Sequence, residues 1–177
     1  PTHLVSVGHS HVLPPQLRTA PRSLTVLHRL LQKAAMRLRA KDYFAGELTV
    51  SVDYLGAEDW AGGASFDPTQ DTVELAETLE RLWARRPPLP PEARPFLVAV
   101  TLTGLEHARD HTPSLFATAV RRRTALLRAV DKLNRRYGNG AIYWAGAHEA
   151  RAAAPMRIAF NRIPEMELEQ ETAWFGD

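Results

Sequence analysis

Glu106, His107, Asp110 and His111 bring four side chains of metal-ligand type close together, and His107 and His111 would share a face if the segment were helical. Thr112-Pro113 follows at once and favours a loop, so a solvated linker with two histidines is the plainer reading. Asp53, Glu58 and Asp59 have the types of a general acid–base pair. Their place at a strand end and hairpin turns them towards water instead. Gly62-Gly63 lacks the lysine and the strand-to-helix setting of a phosphate-binding loop, and no nucleophile elbow occurs. The absence of cysteine excludes disulfides, thiolate metal sites and cysteine nucleophiles. No catalytic residue and no metal ligand is therefore assigned, and charge is the chemistry that remains.

The formal net charge of +2 over 177 residues conceals a strong segregation. Residues 1–41 carry +7, residues 42–106 carry −8, residues 117–163 carry +8, and the last fourteen residues carry −5. Basic blocks of this kind are the footprint of a polyanion partner, although solvated arginines on helix surfaces would give the same count. A hydrophobic fraction of 45% with 24% charged residues is ordinary for a globular chain. No apolar run approaches the roughly 20 residues that cross a bilayer, so a cytoplasmic protein without membrane contact is expected. The length suits one domain with an appendage, and Pro1 in place of a methionine suggests a piece of something larger.

Periodicity supplies the elements that would position these charges. Leu4-Val5-Ser6-Val7 alternates as a short strand ahead of Gly8-His9-Ser10-His11. From Ser23 to about Asp42, Leu24, Leu27, Leu30, Leu31, Ala34, Ala35 and Leu38 describe a helix with a broad apolar stripe. Leu48 to Tyr54 alternates as a strand, with Trp60 to Phe66 as its hairpin partner. Asp71 with Glu74 makes a capping box for a helix to about Arg86, which Pro87, Pro88, Pro90 and Pro91 stop; Phe96 to Leu105 is a further strand. The order strand, helix, strand, strand, helix, strand predicts an α+β fold: two helices on one face of a four-stranded antiparallel sheet, the other face open to a ligand. Beyond it, Leu126, Leu127, Val130 and Leu133 mark a basic helix closed by Gly138 and Gly140, followed by an apolar strand, Ala141 to Gly146. The expected organisation is a domain over 1–106, a linker over 107–119, and an extension over 120–177 that ends in the acidic tail Glu165 to Glu171.

Ser114 to Gly146 joins a Ser-Leu-Phe peptide, a basic helix ending Arg-Arg-Tyr-Gly-Asn-Gly, and an apolar strand. This order resembles the C-terminal region of bacterial Y-family translesion DNA polymerases of the UmuC/DinP (ImpB/MucB/SamB) type. Val5 to His11 is similar to the opening strand of that family's little finger, and Leu27 to Leu38, Leu48 to Tyr54, Asp71-Thr72 and Val98 to Leu105 follow its order. Ala153 to Phe160 with Arg162-Ile163-Pro164 resembles the tail of one bacterial branch. The resemblance implies the little-finger fold and a non-catalytic domain that grips template-primer duplex DNA, without sequence preference, during translesion synthesis in DNA repair and SOS mutagenesis. It also implies a bacterial, nucleoid-associated location. Fingers, palm and thumb have no counterpart here, so nucleotidyltransferase activity and its Mg²⁺ are expected of the parent protein, with no cofactor in this piece.

Carried over from the family, the DNA contacts fall on Gly8, His9, Ser10 and His11, on Arg18 and Arg22 in the proline-rich connection, and on Ser65. The third strand departs from the family, since Ala61 to Asp67 retains only Ser65 where relatives place basic and hydroxyl residues. Thr112, Ser114, Leu115 and Phe116 resemble the peptide that docks on the sliding clamp, with threonine where the family usually has glutamine. An alternative reading is a protein-interaction module, binding the clamp or a partner polymerase, of a catalytically weakened accessory member. Such a module would show no salt-sensitive affinity for DNA.

Overall fold

Leucine and valine alternating with hydroxyl and glycine residues build four strands, β1 (Val7–Val12), β2 (Tyr43–Leu55), β3 (Trp60–Thr69) and β4 (Arg94–His107). Residues 5–111, 118–138, 141–143 and 148 are described by the computed structural model of the chain. The strands form one antiparallel sheet in the order β1-β4-β2-β3. Helix α1 (Ala20–Ala40) connects β1 to β2 and helix α2 (Thr72–Ala84) connects β3 to β4, each crossing one intervening strand. Leu48, Val50 and Val52 of β2 and Val98, Val100 and Leu102 of β4 are wholly buried in one core with Leu27, Leu31 and Leu38 of α1 and Leu75 and Leu79 of α2. Both helices thus cover the same face, as the α+β reading expects. Each such side chain contributes about 1.5–3 kcal/mol by leaving water.

Element boundaries differ from the periodicity in instructive ways. β1 begins where the expected strand ends, and Gly8 to His11 lie inside it, paired from Gly8 opposite Thr101 to His11 opposite Val98. An edge strand needs only one partly buried row, which Val7, His9 and His11 supply, so its polar sequence does not prevent pairing. Helix α1 starts ahead of Ser23 because Pro21 is tolerated in a first turn, where its missing N–H has no intrahelical acceptor. Asp42 follows its end with φ 53°, a left-handed conformation taken here by aspartate rather than glycine. Asp71 caps α2 by accepting from Val73 N at 2.9 Å. Glu74 does not complete the capping box, since its Oε2 accepts from the Thr69 hydroxyl at 2.7 Å and its Oε1 lies 3.0 Å from Arg123.

Two pairs of close contacts explain glycines in the sheet. Gly46 and Gly104 meet where β2 and β4 exchange faces: Ala45 is wholly buried, while Glu47 stands on the open side. Gly104 has φ +60°, and a Cβ there would lie 3.5 Å from the Gly46 backbone. On β3, the Trp60 indole lies across Gly62, where a Cβ would come 2.7 Å from its Cζ2. Trp60 in turn meets Trp83 of α2 edge to face, with centroids 6.5 Å apart.

A third helix, α3 (Thr118–Tyr137), is held at the end of the layer where α1 stops and α2 begins. Arg39 is 8% exposed and donates through Nε and an Nη to the two carboxylate oxygens of Asp131 on α3, at 2.6 and 2.9 Å. Its other Nη donates to Gln70 O and to Thr72 Oγ1, each at 2.8 Å. Arg123 pairs with Asp71 at 2.8 Å and Glu74 at 3.0 Å, and Arg128 reaches Asp42 at 3.4 Å. Near the end of α3, the Asn134 side chain donates to Ile142 O and accepts from Ile142 N, both at 2.8 Å. Ala141 and Ile142 form a bend and Tyr143 is not in a strand, while residues 144–146 of the expected strand lie outside the described residues.

Asp131→Ala leaves the Arg39 guanidinium buried without its carboxylate and should cost about 3–5 kcal/mol in urea denaturation. Gly62→Ala forces the Trp60 ring aside and should cost about 1–3 kcal/mol. Gly63→Ala, whose nearest contact would be an ordinary 3.7 Å, should stay within about 0.5 kcal/mol.

Candidate nucleic-acid interface

The face of the sheet away from α1 and α2 is built from small side chains in register. One row runs Gly8, Thr101, Thr49, Gly63 across β1, β4, β2 and β3. The next runs Ser10, Ala99, Ser51, Ala61, and beside the first lies Thr103, Glu47, Ser65. Hydroxyls and bare backbone dominate, and no lysine or arginine stands in these rows. A Cβ on Gly8 would approach the Thr101 hydroxyl to 3.1 Å and Val100 O to 3.2 Å, so glycine there keeps the hydroxyl uncovered. Glu47 is the acid within these rows, with one oxygen accepting from the Thr103 hydroxyl at 2.8 Å. Such a face can offer donors to an anion at short range but supplies no positive field of its own.

Residues expected from the family to touch DNA divide between the two sides. Gly8, Ser10 and Ser65 lie on the open face, Ser65 beside Glu47. His9 and His11 alternate to the helix side, opposite Val100 and Val98. Burial lowers the His9 pKa to about 4, helped by the nearby charges of Arg37 and then Lys33, so the ring is neutral at physiological pH. Arg18 donates Nε to Leu13 O at 2.9 Å and holds its guanidinium 5.2 Å from the Phe96 ring centre, and Arg22 donates to Gln16 O. Both arginines brace the turn into α1. Thr112, Ser114, Leu115 and Phe116, the clamp-type peptide, lie outside the described residues.

The metal-like constellation resolves into ring contacts. His111 stacks on Phe44 at 3.9 Å and lies 3.6 Å from Glu106, whereas His107 meets Tyr43 edge to face and accepts from Arg109 N. Among the described residues, no group of three or more His, Asp or Glu could hold a metal ion. Thr49, Ser51, Thr101 and Thr103 were legible in sequence as the outward half of alternating strands. What joins them into a surface is the cross-strand register, which a single strand's pattern does not contain.

The family model for the impB/mucB/samB family C-terminal domain matches residues 5–115, more than half of the chain. The chain belongs to the impB/mucB/samB family. The matched residues of this impB/mucB/samB domain include the four strands with α1 and α2, and α3 lies beyond them. Among solved structures, an insertion ternary complex of Dbh DNA polymerase is 18% identical over 58% of this chain and 29% of that one, with a TM-score of 0.43. A Y-family DNA polymerase chimera of Dbh and Dpo4 is 16% identical over 60% of this chain and 30% of that one, with a TM-score of 0.44. The chain thus spans less than a third of the length of those polymerases. No curated protein matches. The recognition as a C-terminal piece of a Y-family polymerase agrees with the family match, and among the described residues no helix is long and apolar enough to cross a membrane.

His9 gives the impB/mucB/samB domain a testable pH response. Its folded pKa of about 4 lies below the ordinary 6.5, so the unfolded chain takes up that proton first as pH falls. Stability should decline from pH 6.5 towards 4 more steeply in the wild type than in His9→Gln, as read by urea denaturation at stepped pH. Parallel profiles would contradict this account of His9.

Proposed function

We propose that the chain is the DNA-binding domain of a Y-family error-prone polymerase and holds template-primer duplex through its phosphates during translesion synthesis. The uncovered sheet face carries the reading: a flat surface of glycine, serine and threonine suits close approach to a sugar-phosphate backbone. Contacts to phosphate fix position and register without reading bases, which fits an enzyme that must copy past damage at any sequence. Gly8 and Ser10 on β1, with Thr49, Ser51, Thr101 and Thr103 beyond them, are the donors on that face. The edges β1 and β3 add backbone N–H groups that no neighbouring strand takes among the described residues. Nucleotidyl transfer, with its Mg²⁺ and carboxylates, belongs on this reading to the rest of the parent protein.

Glu47 sets the strength of the grip, because a carboxylate between Thr103 and Ser65 repels the phosphate those hydroxyls would hold. In fluorescence anisotropy with labelled primer-template DNA, the wild type should bind weakly, with affinity falling steeply as salt rises and little dependence on sequence. Glu47→Gln should tighten binding several-fold at low salt. Absence of binding by the wild type at low salt would overturn the proposal.

A further inference from the structure

Arg29, Lys33 and Arg37 recur every fourth residue of α1, so they stand in one row, roughly 6 Å apart and about 12 Å from end to end. All three are half-buried. The row flanks β1, whose register turns Val7, His9 and His11 to the helix side, with His9 in the field of Lys33 and Arg37.

The charges that act on His9 and Lys33 are of one sign. Burial, then Arg37 and Lys33, pushes His9 down to about 4; burial, then Arg29, pushes Lys33 down to about 8. No carboxylate is among the groups acting on either side chain. The like charges crowd a half-desolvated margin and cost the free domain stability, an arrangement that accumulates where function requires it. In addition, His9 Nε2 is buried without a hydrogen-bond partner, and the outer edge of β1 has no strand beside it among the described residues.

We infer that Arg29, Lys33 and Arg37, together with the β1 edge, bind consecutive phosphates of one nucleic-acid strand. The inference rests on the DNA-binding reading and deepens it, placing the charge-dependent part of the grip at the β1 margin. The open face could not supply that part, since its rows hold an acid and no cation. Successive phosphates of one strand rise about 3.4 Å along the duplex axis but also wind around it, so their separation along the strand is comparable with the roughly 6 Å steps of the row. Gly8 and Ser10 on the other side of β1 would contact the same stretch of backbone, which makes β1 the line along which the strand runs. An acidic polypeptide would answer the charge alone, without using the donors on both sides of this strand.

The test compares the wild type with Lys33→Gln/Arg37→Gln by anisotropy on labelled primer-template duplex between about 50 and about 200 mM salt. The double variant should lose about tenfold in affinity at the lower salt, and its slope of log affinity against log salt should shrink by about 2. Its thermal midpoint should hold or rise, because the crowded charge is gone. An unchanged slope overturns this inference while the DNA-binding reading stands. A wild type that binds no DNA at low salt removes both. Loss of polyglutamate binding with the DNA slope retained assigns the row to an acidic protein and likewise overturns it. If the double variant unfolds, Lys33→Met, which keeps an apolar stem in place, carries the same decision with a slope change of about 1.

Discussion

Every strand must send successive side chains to opposite faces, and the rest of the molecule follows from how this chain divides its residues between them. Leucine and valine on one side require a cover, which α1 and α2 provide; serine, threonine and glycine on the other require none. The same rule leaves the open surface lined by small side chains, with the backbone close beneath them. It also exacts a local adjustment where the pattern is interrupted, and Gly46 opposite Gly104 is where β2 and β4 exchange faces together.

Alternation also determined which parts of the fold could be read in advance. Leu48 to Tyr54 and Phe96 to Leu105 announce their strands because each has an unbroken apolar row to bury. Periodicity places β1 too early, since His9 and His11 occupy core-facing positions that a hydropathy pattern counts as polar. Gly8 and Ser10, their neighbours in sequence, face the open side instead, because successive residues of a strand point to opposite faces. Ser65 stands out in the sequence as the lone hydroxyl between Ala61 and Asp67. The carboxylate next to it was missed because Glu47 reaches that position only through pairing between β2 and β3.

The basic helix shows a different limit. Its apolar positions suggest that Leu126 and Leu133 face the body, yet both are exposed, while Leu127, Asp131 and Asn134 are buried. The choice of face was made by a polar contact, Asp131 with Arg39, that lies far away in sequence. Charge counting over the helix likewise overstates the free positive charge it presents, because Arg123 and Arg128 turn to Asp71, Glu74 and Asp42. Part of the opposed charge between the acidic and basic segments is thus consumed within the chain.

Arg39 lies inside the stretch shared with the family, whereas Asp131 lies outside it. The packed unit of this protein therefore extends beyond the residues that the family model matches. A guanidinium committed to the interior of α1 depends on a carboxylate contributed by the appendage, so neither segment can drift in sequence without the other. A change at either position calls for a matching change at the other, and α3 is part of the domain's architecture rather than cargo attached to it.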